Sequence, residues 1–117
     1  MTLNPSTRPP LIDPHVFDEL QANAGADFVA DLVETLAEEA PALLAELHAA
    51  RAAQLAERFR RAAHSLKSNS RTFGAARLAE AARALEMGGL PAGDEGIAAL
   101  QPELDGTLIA LRAMARP

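Results

Sequence analysis

The sequence predicts an all-α domain, an antiparallel up-down four-helix bundle with a short additional N-terminal helix. Three observations predict it. Apolar residues make up 49% of the 117 positions, and they rest on Ala and Leu, with four Phe and no Trp or Tyr; Ala and Leu are strong helix formers. Those residues recur at i, i+3, i+4 and i+7 through successive segments, and no segment alternates as a strand would. Gly and Pro gather between the segments and leave connections short enough for neighbouring helices to pack antiparallel. The length suits one domain with a modest core.

Residues 1 to 12, with Pro5, Pro9 and Pro10, read as a flexible Pro-rich leader to a bundle domain over residues 13 to 115. Asp13-Pro14 is a helix start, a capping carboxylate followed by a ring fixed at helical φ. The short first helix carries Val16, Phe17 and Leu20 and ends around Asn23 to Gly25. A second helix begins near Asp27. Its inward stripe is Phe28, Leu32, Leu36, Ala40, Leu43 and Leu47, widened by Val29, Val33 and Leu44. Pro41 lies inside this run and is expected to kink one long helix, because the stripe continues across it.

The third helix spans Leu55 to Arg71 and breaks around Thr72 to Gly74. A fourth runs from about Ala75 to Met87, with Leu78, Ala82 and Leu85 inward, and Gly88-Gly89-Leu90-Pro91 stops it. Asp94 is placed to cap a final helix carrying Ile97, Leu100, Leu104, Leu108 and Leu111, which Gly96, Pro102 and Gly106 should bend.

Charge is unevenly spread around a net −5. From Asp13 to Glu57 the only basic residue is Arg51, whereas Arg58, Arg60, Arg61, Lys67, Arg71, Arg77 and Arg83 follow with Glu80 as the only acid among them. A cationic block can attract nucleic acid, but the scarcity of aromatics removes the stacking platforms of single-strand binders. A small anion or an acidic protein surface fits better. Without Cys there is neither a disulfide framework nor thiol chemistry. No apolar run approaches the ~20 residues of a membrane span, and the N-terminus lacks signal-peptide character. A cytoplasmic location is expected.

The third helix holds the chemistry. At ~100° per residue, Leu55, Phe59, Ala62, Ala63 and Leu66 fall on one side, and Glu57, Arg60, Arg61, His64, Lys67, Ser68 and Arg71 on the other. A histidine retained for packing should point inward with the leucines. His64 points outward among cations and a hydroxyl, which suits handling of an anion, most simply a phosphoryl group. His15 and His48 form no i, i+4 pair with each other or with His64, so zinc has little support. Arg60, Arg61 and Arg71 read as a solvated face that steers partners. Arg77 and Arg83 should pair with acids on their own helix, and Asn69 and Ser70 should bond backbone across the bundle.

Ala63, His64, Leu66, Lys67, Ser70, Gly74, Ala75, Leu78, Leu85 and Glu86 follow the pattern AHxLKGxSxxxGAxxLxxxxxxLE. In this the chain resembles the histidine phosphotransfer (HPt) domain of multistep phosphorelays, over about residues 13 to 115. The family's Gly after the Lys is Ser68 here, one turn beyond His64 where a small residue lets a partner approach. The change leaves function expected but partner choice or rate open to difference.

The resemblance implies that His64 takes a phosphoryl group from a receiver-domain phospho-aspartate and passes it to another response regulator. Lys67 would neutralise phosphoryl oxygens and Ser68 donate a hydrogen bond. Gly74 and Ser70 would be structural. The implied partners are receiver domains and a hybrid sensor histidine kinase, with no nucleic acid or membrane and a monomeric carrier. No cofactor is expected on this chain, and the Mg²⁺ of transfer would sit in the receiver. No Gly-rich nucleotide loop appears, so the chain reads as a phosphocarrier without kinase activity. The alternative is a helical adaptor that binds receivers or other signalling proteins without being phosphorylated; the intact His64-Leu66-Lys67 set favours the carrier.

Overall fold

The structure, a computed structural model, describes residues 9–115. Six helices follow one another: α1 (Pro14–Ala24), α2 (Ala26–Ala52), α3 (Ala56–Thr72), α4 (Ala76–Met87), a single-turn α5 (Glu95–Ala98) and α6 (Leu100–Met114). No strand occurs among the described residues. α2 packs on α3, α3 on α4, α4 on α6 and α6 on α2. These four pairings close the ring of a four-helix bundle, and α1 lies against α2 as the extra helix. The Arg112 guanidinium grips the Glu34 carboxylate across α6 and α2 at 2.8 and 2.9 Å.

The core consists of the apolar faces of these helices. Phe17, Val29, Val33, Leu36, Leu47, Phe59, Leu66, Leu78, Leu104 and Leu111 are all buried. Pro41 lies within one uninterrupted α2, on its exposed side, where the N–H that proline lacks leaves no buried group unpaired. The Asp13 side chain caps α1 by accepting from the His15 N–H at 3.0 Å, with Pro14 at the first helical position.

Several expectations need correction. The leader is tied down from Pro9 onward: the Pro9 carbonyl accepts from Arg77 Nε at 3.2 Å, Leu11 packs on the core and Ile12 is buried. Residues 1–8 of that segment lie outside the described residues. Arg77 is therefore spent on the leader rather than on an acid of its own helix, whereas Arg83 does pair with Glu80 at 3.4 Å.

Part of the α2 stripe lies one position later than expected: Leu36, Ala40 and Leu47 are buried as expected, but Val29, Val33 and Leu44 from its edge are buried in place of Phe28, Leu32 and Leu43. Val29 and Val33 are buried while Phe28 is 56% exposed, since Phe28 falls on the solvent side of the first turn. Leu55 precedes α3 as its non-helical flanking residue and is exposed, because helical periodicity does not place a residue outside the helix. Asp94 makes no side-chain cap; its φ of −104° and ψ of 7° are not the extended backbone a cap uses. The expected bend in the final helix is a break at Ala99 between α5 and α6. Pro102 then falls in the first turn of α6, where its missing donor costs nothing.

Candidate functional site

The burial of α3 fixes the site. Phe59, Ala62, Ala63 and Leu66 face the core, which turns His64 outward with 54% of its side chain exposed. Across the α3–α4 packing, α4 presents Glu86 to that side. Glu86 Oε2 lies 2.5 Å from His64 Nδ1, and Oε1 lies 2.5 Å from Lys67 Nζ. One carboxylate thus ties together two residues of α3. The Lys67 and Glu86 side chains are only 15% and 10% exposed. The Lys67 ammonium, and after it the His64 ring, hold the Glu86 carboxyl below its ordinary range against the opposing effect of desolvation.

This contact assigns the ring nitrogens. A carboxylate is acceptor-only, so the neutral ring that bonds to it carries its proton on Nδ1 and its lone pair on Nε2. A nucleophilic nitrogen on an exposed ring, with the other nitrogen anchored, is the arrangement a covalent carrier needs. Lys67, expected to reach phosphoryl oxygens, reaches Glu86 instead in this structure.

Ser68 is exposed one turn from His64 and lines the same groove. Arg60 is bound to Glu57 of its own helix at 2.5 and 3.1 Å. Arg61 and Arg71 are exposed, and among the described residues their side chains make no hydrogen bond or ion pair. Ser70 is buried and its hydroxyl donates to the Leu66 carbonyl of its own helix at 2.6 Å, not across the bundle as expected. Its carbonyl accepts from the Phe73 and Ala75 N–H groups and so closes the end of α3.

Gly74 has φ +73°, and a Cβ there would stand 2.8 Å from the Asp13 carbonyl oxygen and 2.9 Å from Val16 Cβ. The Asp13 N–H donates to the Gly74 carbonyl at 2.7 Å, so the α3–α4 turn is also the seat of α1.

Beside His64, α2 and α3 enclose an open groove of about 570 Å³ lined by Glu39, Ala42, Leu43, Glu46, Ser65, Ser68 and Asn69. It continues past Glu39 and Asn69 toward Leu32 and Thr72, and past Leu43 and Ser65 toward Arg58 and Arg61.

Glu86 received no role from the sequence beyond its place at the end of the motif. A signal was present: in an antiparallel helix pair turning at Gly74, residues ten to twelve positions on either side come opposite one another. That arithmetic brings Glu86 to His64. No cluster of His, Cys, Asp or Glu suited to a metal ion occurs among the described residues, nor is any of their helices long and apolar enough to cross a membrane.

A family model described as the Hpt domain matches residues 31–114. No curated protein and no solved structure matches the chain.

Proposed function

The chain belongs to the Hpt domain family, whose members act in histidine phosphotransfer within phosphorelays, and from that membership we propose that His64 is its phosphoacceptor. The observation that carries the reading is the His64–Glu86 contact, which leaves Nε2 as the lone-pair nitrogen of an exposed ring.

In the proposed reaction the Nε2 lone pair attacks the phosphorus of a phospho-aspartate on a receiver domain. The N–P bond forms as the P–O bond to the aspartate breaks, and the electron pair leaves with the aspartate carboxylate. The ring then bears a phosphoryl group on Nε2 and a proton on Nδ1, and so becomes cationic. Glu86 faces that charge through the Nδ1–H bond and stabilises it as it develops. Attack by the carboxylate of a second receiver on the same phosphorus reverses the sequence and returns the neutral ring. Lys67 acts through Glu86, holding the carboxylate in place and ionised. Ser68 donates to a phosphoryl oxygen from one turn away. Arg60, Arg61 and Arg71 steer the acidic face of a receiver, Arg61 and Arg71 with their charge available and Arg60 with Glu57 already bound.

The partners of this reading are receiver domains of response regulators and of a hybrid sensor histidine kinase, met by a monomeric carrier in the cytoplasm. The Mg²⁺ of transfer belongs to the receiver's acidic pocket, and this chain supplies no kinase chemistry of its own. The test is transfer from a phosphorylated receiver to wild-type protein and to His64→Gln. Acid-labile, base-stable label on the wild type and none on the variant is expected. Equal labelling of the variant would remove His64 from the role. A folded wild type that no receiver labels would leave the unphosphorylated adaptor as the better reading.

A further inference from the structure

We propose that the α2–α3 groove selects among receiver domains by charge polarity: the partner presents a cation to Glu39 in one part of the groove and an anion to Arg61 in the other. The proposal rests on the phosphoryl-transfer reading and goes beyond it by stating which partner surface the site accepts.

Most charges around His64 are already answered within the bundle. Glu46 is bound by Arg58, Glu57 by Arg60, and Glu86 by Lys67 and His64. Of the groove-lining charges, two have no hydrogen-bond or ion-pair partner, though Arg61 helps Arg60 to hold the Glu57 carboxyl down. Glu39 and Arg61 are both exposed, and among the described residues neither side chain makes a hydrogen bond or ion pair. They stand on opposite sides of His64. Glu39 shares its part of the groove with Asn69, and Arg61 lines the other part with Ser65. On α3, Arg61 and Asn69 are eight residues apart, ~12 Å along the helix at ~1.5 Å rise each. Between them the lining combines the apolar Ala42 and Leu43 with Ser65 and with Glu46, whose charge Arg58 already meets.

A surface that docks here to reach His64 must cover both charges. Covering an ionised group without a counter-charge carries a desolvation cost, and meeting it with like charge adds repulsion. A partner of matching polarity avoids both penalties at both ends. A partner of reversed polarity incurs them at both ends even when its net charge is the same. The groove therefore filters on the order of charges rather than on their sum. Arg71 lies outside the groove lining and acts only on long-range approach.

The experiment uses the full chain and a purified receiver domain phosphorylated by acetyl phosphate. The initial rate of label transfer is measured for wild type, Glu39→Lys, Arg61→Glu and the double swap, with circular dichroism confirming the helical fold. Each rate is divided by that for direct labelling with phosphoramidate, which reads imidazole reactivity without docking. The double swap keeps the net charge and reverses the polarity. It is expected to be about tenfold slower than wild type at about 50 mM salt, and the gap should shrink to about twofold at about 0.5 M. A double swap within twofold of wild type at low salt, with the wild type labelled, overturns the polarity proposal and leaves the phosphotransfer reading intact. A wild type that no receiver labels overturns both.

Discussion

His64 on α3 and Glu86 on α4, 22 positions apart in sequence, meet at 2.5 Å through Nδ1 and a carboxylate oxygen. The contact joins reactivity to fold, because the exposed ring is oriented from a carboxylate that is itself almost covered. Lys67 occupies the other oxygen of that carboxylate, so the three side chains form one unit.

Removing the carboxylate should release the ring. In Glu86→Ala the neutral His64 ring is expected to lose its Nδ1–H preference, read by nitrogen-15 NMR, and phosphoryl acceptance should fall about tenfold or more, by analogy with the loss when the partner that orients a metal-ligating imidazole is removed. Glu86→Gln keeps an acceptor oxygen without the charge and should keep the tautomer with an intermediate rate. An unchanged nitrogen spectrum in Glu86→Ala would contradict the assignment.

With Lys67 bound to Glu86, and acting through it as proposed, their effects should not add. Lys67→Ala slows acceptance in the wild-type background, while in Glu86→Ala it is expected to change the barrier by less than about 0.5 kcal/mol. A full additive loss in the double variant would mean that Lys67 contacts the phosphoryl group directly.

Acid should erase the structural share of the same unit. The folded-state pKa of Glu86 is held down, by Lys67 first and then by His64. Its contribution to stability is therefore present above the ordinary value of 4.5 and is lost as pH falls through the lower folded value. Urea unfolding of wild type and Glu86→Gln should show a stability difference that holds from pH 7 to about 5 and shrinks as the pH falls further. A constant difference would contradict it. Glu34 and Glu57, also held down by arginines, are common to both proteins and cancel.

Gly74→Ala tests the turn that positions α4. The substitution meets a positive φ and a backbone oxygen 2.8 Å from the new Cβ. It should cost roughly 1–3 kcal/mol and lower the melting temperature by at least several degrees. A melting temperature equal to wild type would contradict the close seat of α1 on this turn.

Much of the bundle was legible in the sequence, and the departures have physical causes. Helix starts and stops followed Asp13-Pro14, the break before Ala76 and Gly88-Gly89, because caps and breakers act locally. The stripe of α2 was displaced only in part, since Phe28 and Val29 are adjacent apolar residues and only packing against the rest of the bundle decides which one turns inward. Arg77 was misassigned because its acceptor, the Pro9 carbonyl, is 68 positions away. The exposure of His64 followed from the periodicity of α3 alone, whereas its anchor on α4 required knowing how two helices face each other.

Label can be followed through the protein from one receiver to the next. Wild-type chain is labelled by one phosphorylated receiver, separated from it, and mixed with an unphosphorylated second receiver. Base-stable label on His64 is expected to disappear as label appears on the second receiver, and His64→Gln to carry none at either stage. Label that enters His64→Gln as readily as wild type, or that never leaves the wild-type chain for any receiver, would contradict the carrier role of His64.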